Sequence, residues 1–139
     1  YLQQRFYRPT PRLIEGQLLA GTASAAIDIS DGLHADLGHI CDASGVGAMV
    51  NVNRLPMSDH WRSSVSLDKA LDWAVSGGDD YELCFTAAAN QAKAIASISK
   101  KIGLPLSMIG RVEAKHGLRC QDATGRVWVP QVKGFDHFE

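Results

Sequence analysis

The sequence has no excess of charge of either sign. Fourteen Lys and Arg stand against 15 Asp and Glu, for a formal net charge of -1. A basic footprint is therefore missing, and neither nucleic acid nor an anionic membrane surface is an expected partner. No apolar run reaches the ~18 residues needed to span a bilayer. Cysteine is scarce: Cys41, Cys84 and Cys120 are odd in number, widely spaced and free of any CxxC. That argues against a disulfide framework and a zinc ribbon, and fits a reducing cytoplasm. There is no GxxxxGK[ST] and no GxSxG. Gly45-Val46-Gly47 begins like a dinucleotide fingerprint, but Val50 stands where the third glycine belongs, and a strand rather than a helix follows. His34 and His39 are five positions apart, about 140° around a helix, so they do not pair on a metal. Met is missing from position 1, where Tyr1 stands, and no charged n-region precedes an apolar h-region. The expectation is a piece of a longer chain.

What is present suits a folded domain. Of the 139 residues, 45% are hydrophobic, and a chain of this length is expected to form one domain with its own core. Pro11 suits the first turn of a helix, expected over residues 12–20 and stopped near Gly21. Residues 25–29 form an apolar run, expected as a buried strand. Leu33, Leu37, Ile40 and Cys41 recur at three and four, which predicts a helix over residues 33–43 with Gly45 as a left-handed stop. A strand over 47–52 and a loop to about position 65 follow. Ser66 is a candidate cap for a helix ending at Gly77-Gly78. Strands are expected over 81–86 and 106–112, a helix over 87–101, and a hairpin over 118–129 turning at Ala123-Thr124-Gly125. Helices and strands intermix without strict alternation, so the fold class is α+β, with helices covering a mixed or antiparallel sheet.

Three segments could carry chemistry. In Asp28-Ile29-Ser30-Asp31-Gly32, two carboxylates flank a hydroxyl where a strand becomes a helix. An acid inside an apolar run is costly unless paired or metal-bound. Carboxylates and hydroxyls are the oxygen ligands Mg²⁺ prefers, and a helix start offers free amides to phosphate. Equally, Asp31 or Ser30 could cap the helix while Asp28 bonds the turn. In Gly77-Gly78-Asp79-Asp80-Tyr81-Glu82, two glycines permit close backbone approach before three acids. A helix stop followed by an acidic turn fits these residues as well. Gly134-Phe135-Asp136-His137-Phe138 places two aromatics near the end, as tail anchors or as a face for stacking on a flat ring.

Together these segments resemble the C-terminal domain of the thiamine-monophosphate kinases. The likeness lies in Asp28-Ile29-Ser30-Asp31-Gly32-Leu33 with Ala35-Asp36-Leu37, and in Ser76-Gly77-Gly78-Asp79-Asp80-Tyr81-Glu82-Leu83 with Phe85-Thr86. Arg8-Pro9-Thr10-Pro11-Arg12, Leu55-Pro56, Ile109-Gly110-Arg111-Val112 and the terminal aromatic segment match in order. The wider superfamily includes aminoimidazole ribonucleotide synthetase.

The resemblance implies a three-layer α/β/α domain with a mixed, largely antiparallel sheet, partly ferredoxin-like. It implies an ATP-dependent phosphotransferase making thiamine diphosphate from thiamine monophosphate, with several Mg²⁺ ions. Asp28 and Asp31 would be metal ligands, Asp31 the catalytic residue among them, and Ser30 an ATP contact. Asp79 and Phe135 would contact the thiamine substrate, on a supporting loop of Gly32, Gly77, Gly78, Asp80 and Glu82. Such kinases more often carry Glu at the Asp79 position. They are also about twice this length. Residues 1–139 would therefore be the substrate-side domain of a cytoplasmic enzyme that dimerises through an N-terminal half absent here, and the domain alone would be inactive. The alternatives are a related superfamily enzyme with another small phosphorylated substrate, or a non-catalytic α+β binding or dimerisation module.

Overall fold

The computed structural model describes residues 2–131. Two short helices lead in, α1 (Leu2–Tyr7) and α2 (Leu13–Leu19). Then come β1 (Ala23–Asp28), α3 (Leu33–Ser44) and β2 (Gly47–Asn51), followed by α4 (Asp59–Arg62) and α5 (Leu67–Ser76). The chain continues with β3 (Leu83–Ala87), α6 (Ala92–Ile102), β4 (Gly110–Glu113), β5 (Gly117–Gln121) and β6 (Val127–Trp128). The α+β class is as expected from the sequence. The strands, however, divide into two sheets: β1-β3, and β4-β2-β5-β6. Both edges of β2 are taken, by β4 antiparallel and by β5 parallel, which leaves β1 no edge to join there. Instead β1 pairs antiparallel with β3, bringing Asp28 opposite Leu83.

The core lies between α3, α5 and the four-stranded sheet. Leu33, Leu37, Ile40 and Cys41 of α3 are buried, as their spacing predicts. They meet Ala48 and Val50 of β2, Leu71 and Val75 of α5, and Cys120 of β5. Gly45 ends α3 at φ 64°, and its N–H returns to the Cys41 and Asp42 carbonyls. This is the expected left-handed stop. The β5-β6 hairpin forms as read, with Asp122 Oδ1 accepting the Thr124 and Arg126 N–H groups across its turn.

Several expectations are corrected. β1 is not a strand buried on both faces: exposure alternates along it, and Asp28 stands on the open side. The expected cost of burying Asp28 therefore does not arise. Tyr81 and Glu82 precede β3 as irregular chain, and residues 106–108 are likewise irregular, so β4 starts only at Gly110. α6 begins after a 3₁₀ turn at Ala89–Gln91 rather than at position 87. Ser66 stands at the start of α5 but gives no side-chain cap; Ser58 caps α4, its Oγ accepting the Trp61 N–H at 3.2 Å. The segment holding Phe135 lies outside the described residues.

Candidate functional site

The end of β1 and the chain entering β3 meet in one place. Beyond Asp28, Ile29 turns inward and is buried, leaving Ser30-Asp31-Gly32 as the link into α3. This link is held from within the helix it precedes. Asp36, 2% exposed, lies one turn into α3. Its Oδ2 accepts the N–H of Ser30 (3.0 Å), Asp31 (3.1 Å) and Gly32 (3.2 Å). Three amides of the link thus converge on one carboxylate, a charge-assisted clamp that fixes the turn ahead of α3. Gly32, not Ser30 or Asp31, stands at the cap position of α3. Nor are these three amides free for phosphate, as the sequence suggested.

The second acidic segment docks on the first through backbone. The Asp79 N–H donates to the Ser30 carbonyl (2.9 Å), and the Tyr81 N–H to the Ile29 carbonyl (2.8 Å). The Ile29 N–H donates in return to the Glu82 carbonyl (2.8 Å). Glycine makes this approach possible. A Cβ on Gly32, whose φ is 114°, would lie 2.7 Å from the Ser76 carbonyl oxygen, and one on Gly78 would strike the Ser30 carbonyl. Asp79 (φ 64°) and Tyr81 (φ 51°) hold left-handed backbone without being glycine. Such strain persists only where the surroundings impose it, and it concentrates at functional sites.

Side chains complete the junction. Glu82 accepts from Arg5, and from Arg12 in a two-pronged pair at 2.7 and 2.8 Å. Glu82 thereby ties the N-terminal segment to this loop, and that contact raises the Arg12 pKa further. The Tyr81 hydroxyl donates to Asp79 Oδ1 at 3.3 Å. Its pKa is raised, first by the charge of Asp79, then by that hydrogen bond, with smaller contributions from Asp28 and Asp31. The Asp80 carboxyl is pushed up, chiefly by desolvation and next by the charge of Glu82, with Arg5 opposing. That desolvation is local to the carboxyl, since the residue as a whole is exposed.

Of the residues singled out from sequence, Ser30, Asp31, Gly32, Gly77, Gly78, Asp79, Asp80 and Glu82 lie on these two abutting loops, with Asp28 at the end of β1 that leads into the first. Sequence reasoning missed Asp36, Tyr81, Arg5 and Arg12 as parts of the junction. It also set His39 aside. Asp31, Asp36 and His39 offer metal-ligand atoms all within 4.8 Å of one another. The Asp36-His39 spacing of three, one helical face, was the available signal. The donor set suits a hard cation at its carboxylates, although Asp36 Oδ2 is already engaged by the three amides. Cys84 is no nucleophile, because burial pushes its thiol pKa up to about 11. A hollow of about 210 Å³ beside α2, lined by Leu19, Ala23, Ala25 and Leu83 among others, contains no charged side chain. Its lining suits no polar ligand, so the acidic junction is the better candidate.

An α+β domain with acidic loops meeting at a strand-to-helix turn defines a class, and comparison narrows it. Residues 3–123 match the family model described as AIR synthase related protein, C-terminal domain, and the chain belongs to that family. It is 48% identical over 139 residues to the thiamine-monophosphate kinase of Salmonella typhimurium, covering 99% of this chain and 42% of that protein. Among solved structures, thiamine-monophosphate kinase from Stenotrophomonas maltophilia is similar with a TM-score of 0.84 and 48% identity, over 86% of this chain and 38% of that one. A structure described as AaThiL complexed with AMPPCP and TMP is similar with a TM-score of 0.77 and 32% identity, over 99% and 41%. The chain thus spans about two-fifths of the length of the curated relatives it matches. No described helix is long and apolar enough to cross a membrane.

Proposed function

We propose that this chain is the C-terminal, substrate-side domain of an ATP-dependent kinase that converts thiamine monophosphate to thiamine diphosphate. The observation that carries this reading is the backbone-stitched junction that brings the Asp28-to-Gly32 and Gly77-to-Glu82 segments together. The 48% identity to a thiamine-monophosphate kinase supports the substrate, as does likeness to a structure described with AMPPCP and TMP.

The chemistry asks little of a general base. A phosphate monoester has a second pKa of about 6, so the acceptor is largely ionised at neutral pH. The difficulty is bringing two polyanions into line, which positioning and charge neutralisation address. Asp28 and Asp31, with Ser30 beside them, would hold Mg²⁺, which when bound neutralises phosphate charge. Asp79, and Phe135 beyond the described residues, would meet the thiamine moiety; an aspartate suits a cationic thiazolium or an aminopyrimidine donor. Further ATP and metal ligands, and the homodimer contact, would belong to an N-terminal half. The domain alone would therefore be inactive. Three free, buried cysteines support a reducing, cytoplasmic setting.

Replacing Asp31 with Ala in the full-length kinase tests this reading. Mg²⁺-dependent turnover should fall at least about a hundredfold, with the urea midpoint unchanged. Turnover near the wild-type rate in Asp31→Ala would show that the acid holds no metal the reaction needs.

A further inference from the structure

An exposed aspartate has rotamer freedom that a recognition role must suppress. Asp79 is such a residue, at a loop position exposed to solvent. Its neighbour two positions on provides the restraint. Tyr81 donates its hydroxyl to Asp79 Oδ1 at 3.3 Å, and its own N–H to the Ile29 carbonyl at 2.8 Å. The phenol is fixed to the first loop by backbone while it grips the second by its side chain.

Packing does not explain this arrangement. Tyr81 is 39% exposed and is not part of the core cluster. Its backbone stands at φ 51°, a conformation that costs a non-glycine residue about 1–2 kcal/mol. A glycine or asparagine would hold the same turn at less cost. What tyrosine adds is a rigid ring that carries a donor to a set distance from the backbone. The charges of Asp28 and Asp31 also reach this phenol, after that of Asp79.

Resting on the kinase reading, we infer that Tyr81 is a positioning residue for substrate recognition. Its hydroxyl holds the Asp79 carboxylate toward the cationic or amino-bearing ring of the substrate and away from metal at Asp28 and Asp31. Without that bond, Asp79 is free to rotate toward the metal side, and the substrate ring loses its oriented partner.

The test is Tyr81→Phe in the full-length kinase, which removes one oxygen and keeps the ring. KM for thiamine monophosphate should rise about fivefold, the worth of one such hydrogen bond. KM for ATP and kcat should stay within about twofold, the pattern of lost uniform substrate binding. The decisive measurement is the same substitution in an Asp79→Ala background, which removes the acceptor, and where it should add nothing further, because the two residues act as one unit. An unchanged KM in Tyr81→Phe, or an equal rise in both backgrounds, overturns the assignment. Failure of the wild-type enzyme to turn over thiamine monophosphate instead sinks the kinase reading, and this assignment with it.

Discussion

In the four-stranded sheet, β2 buries Ala48 and Val50 beneath α3, and β5 buries Cys120 beside them. In the two-stranded sheet only Cys84 is buried, and acids flank the end where Asp28 faces Leu83. The first region is held by apolar area. The second is held by pairing of β1 with β3, by three backbone bonds between loops, by the Asp36 carboxylate, and by Glu82 with its two arginines. Oriented bonds define positions more sharply than apolar contact does, and a site that must place acids needs that sharpness. Substitutions in the two regions should therefore fail in different ways.

The most severe change to both at once is Asp36→Ala, because this residue sits on a core helix and grips the site loop. Three amides would lose their acceptor, costing about 3 kcal/mol, and turnover of the full-length enzyme should fall with it. Equilibrium urea unfolding checks the first effect. Asp36→Asn, which keeps an acceptor oxygen, should recover part of the loss. An unmoved midpoint in Asp36→Ala would mean that the loop is held by other bonds. Val50→Ala should act on the apolar region alone. It should cost about 2 kcal/mol and leave the substrate KM unchanged; a raised KM would erase the separation drawn between the regions. Glu82→Gln should be mildest, about 1 kcal/mol or less, since its carboxylate is part-exposed. Hydrogen exchange should locate that loss in α1, which buries no residue and depends on the Arg5 contact. Unaltered exchange in α1 would show that another contact holds it.

Much of the apolar region was legible in the sequence because its signals are local. The three-and-four spacing in α3, Gly45 as its stop, and the turn at Ala123-Thr124-Gly125 each act within a few residues. The acids of the junction were also legible as residue types in two clusters. Their assembly was not. Asp36 reads as an ordinary polar position on a helix until the turn folds back over it. α1 went unrecognised because the partner of Arg5 lies 77 positions away. Tyr81 reads as a strand residue by composition, and nothing in composition reveals a φ of 51°. The exposure of Asp28 was misjudged because a short alternating strand and a fully buried one look alike when alanine fills both faces.

The pairing of β1 with β3 joins residues as far apart as Ala23 and Ala87, separated by 64 positions. Between them the chain must lay down α3, β2, α4 and α5. Closing so long a loop has to be offset by contacts that exist only once the intervening elements have packed. During synthesis the acids of the first loop therefore emerge long before the segment that fixes them. The junction can close only once the elements between its two loops have been laid down.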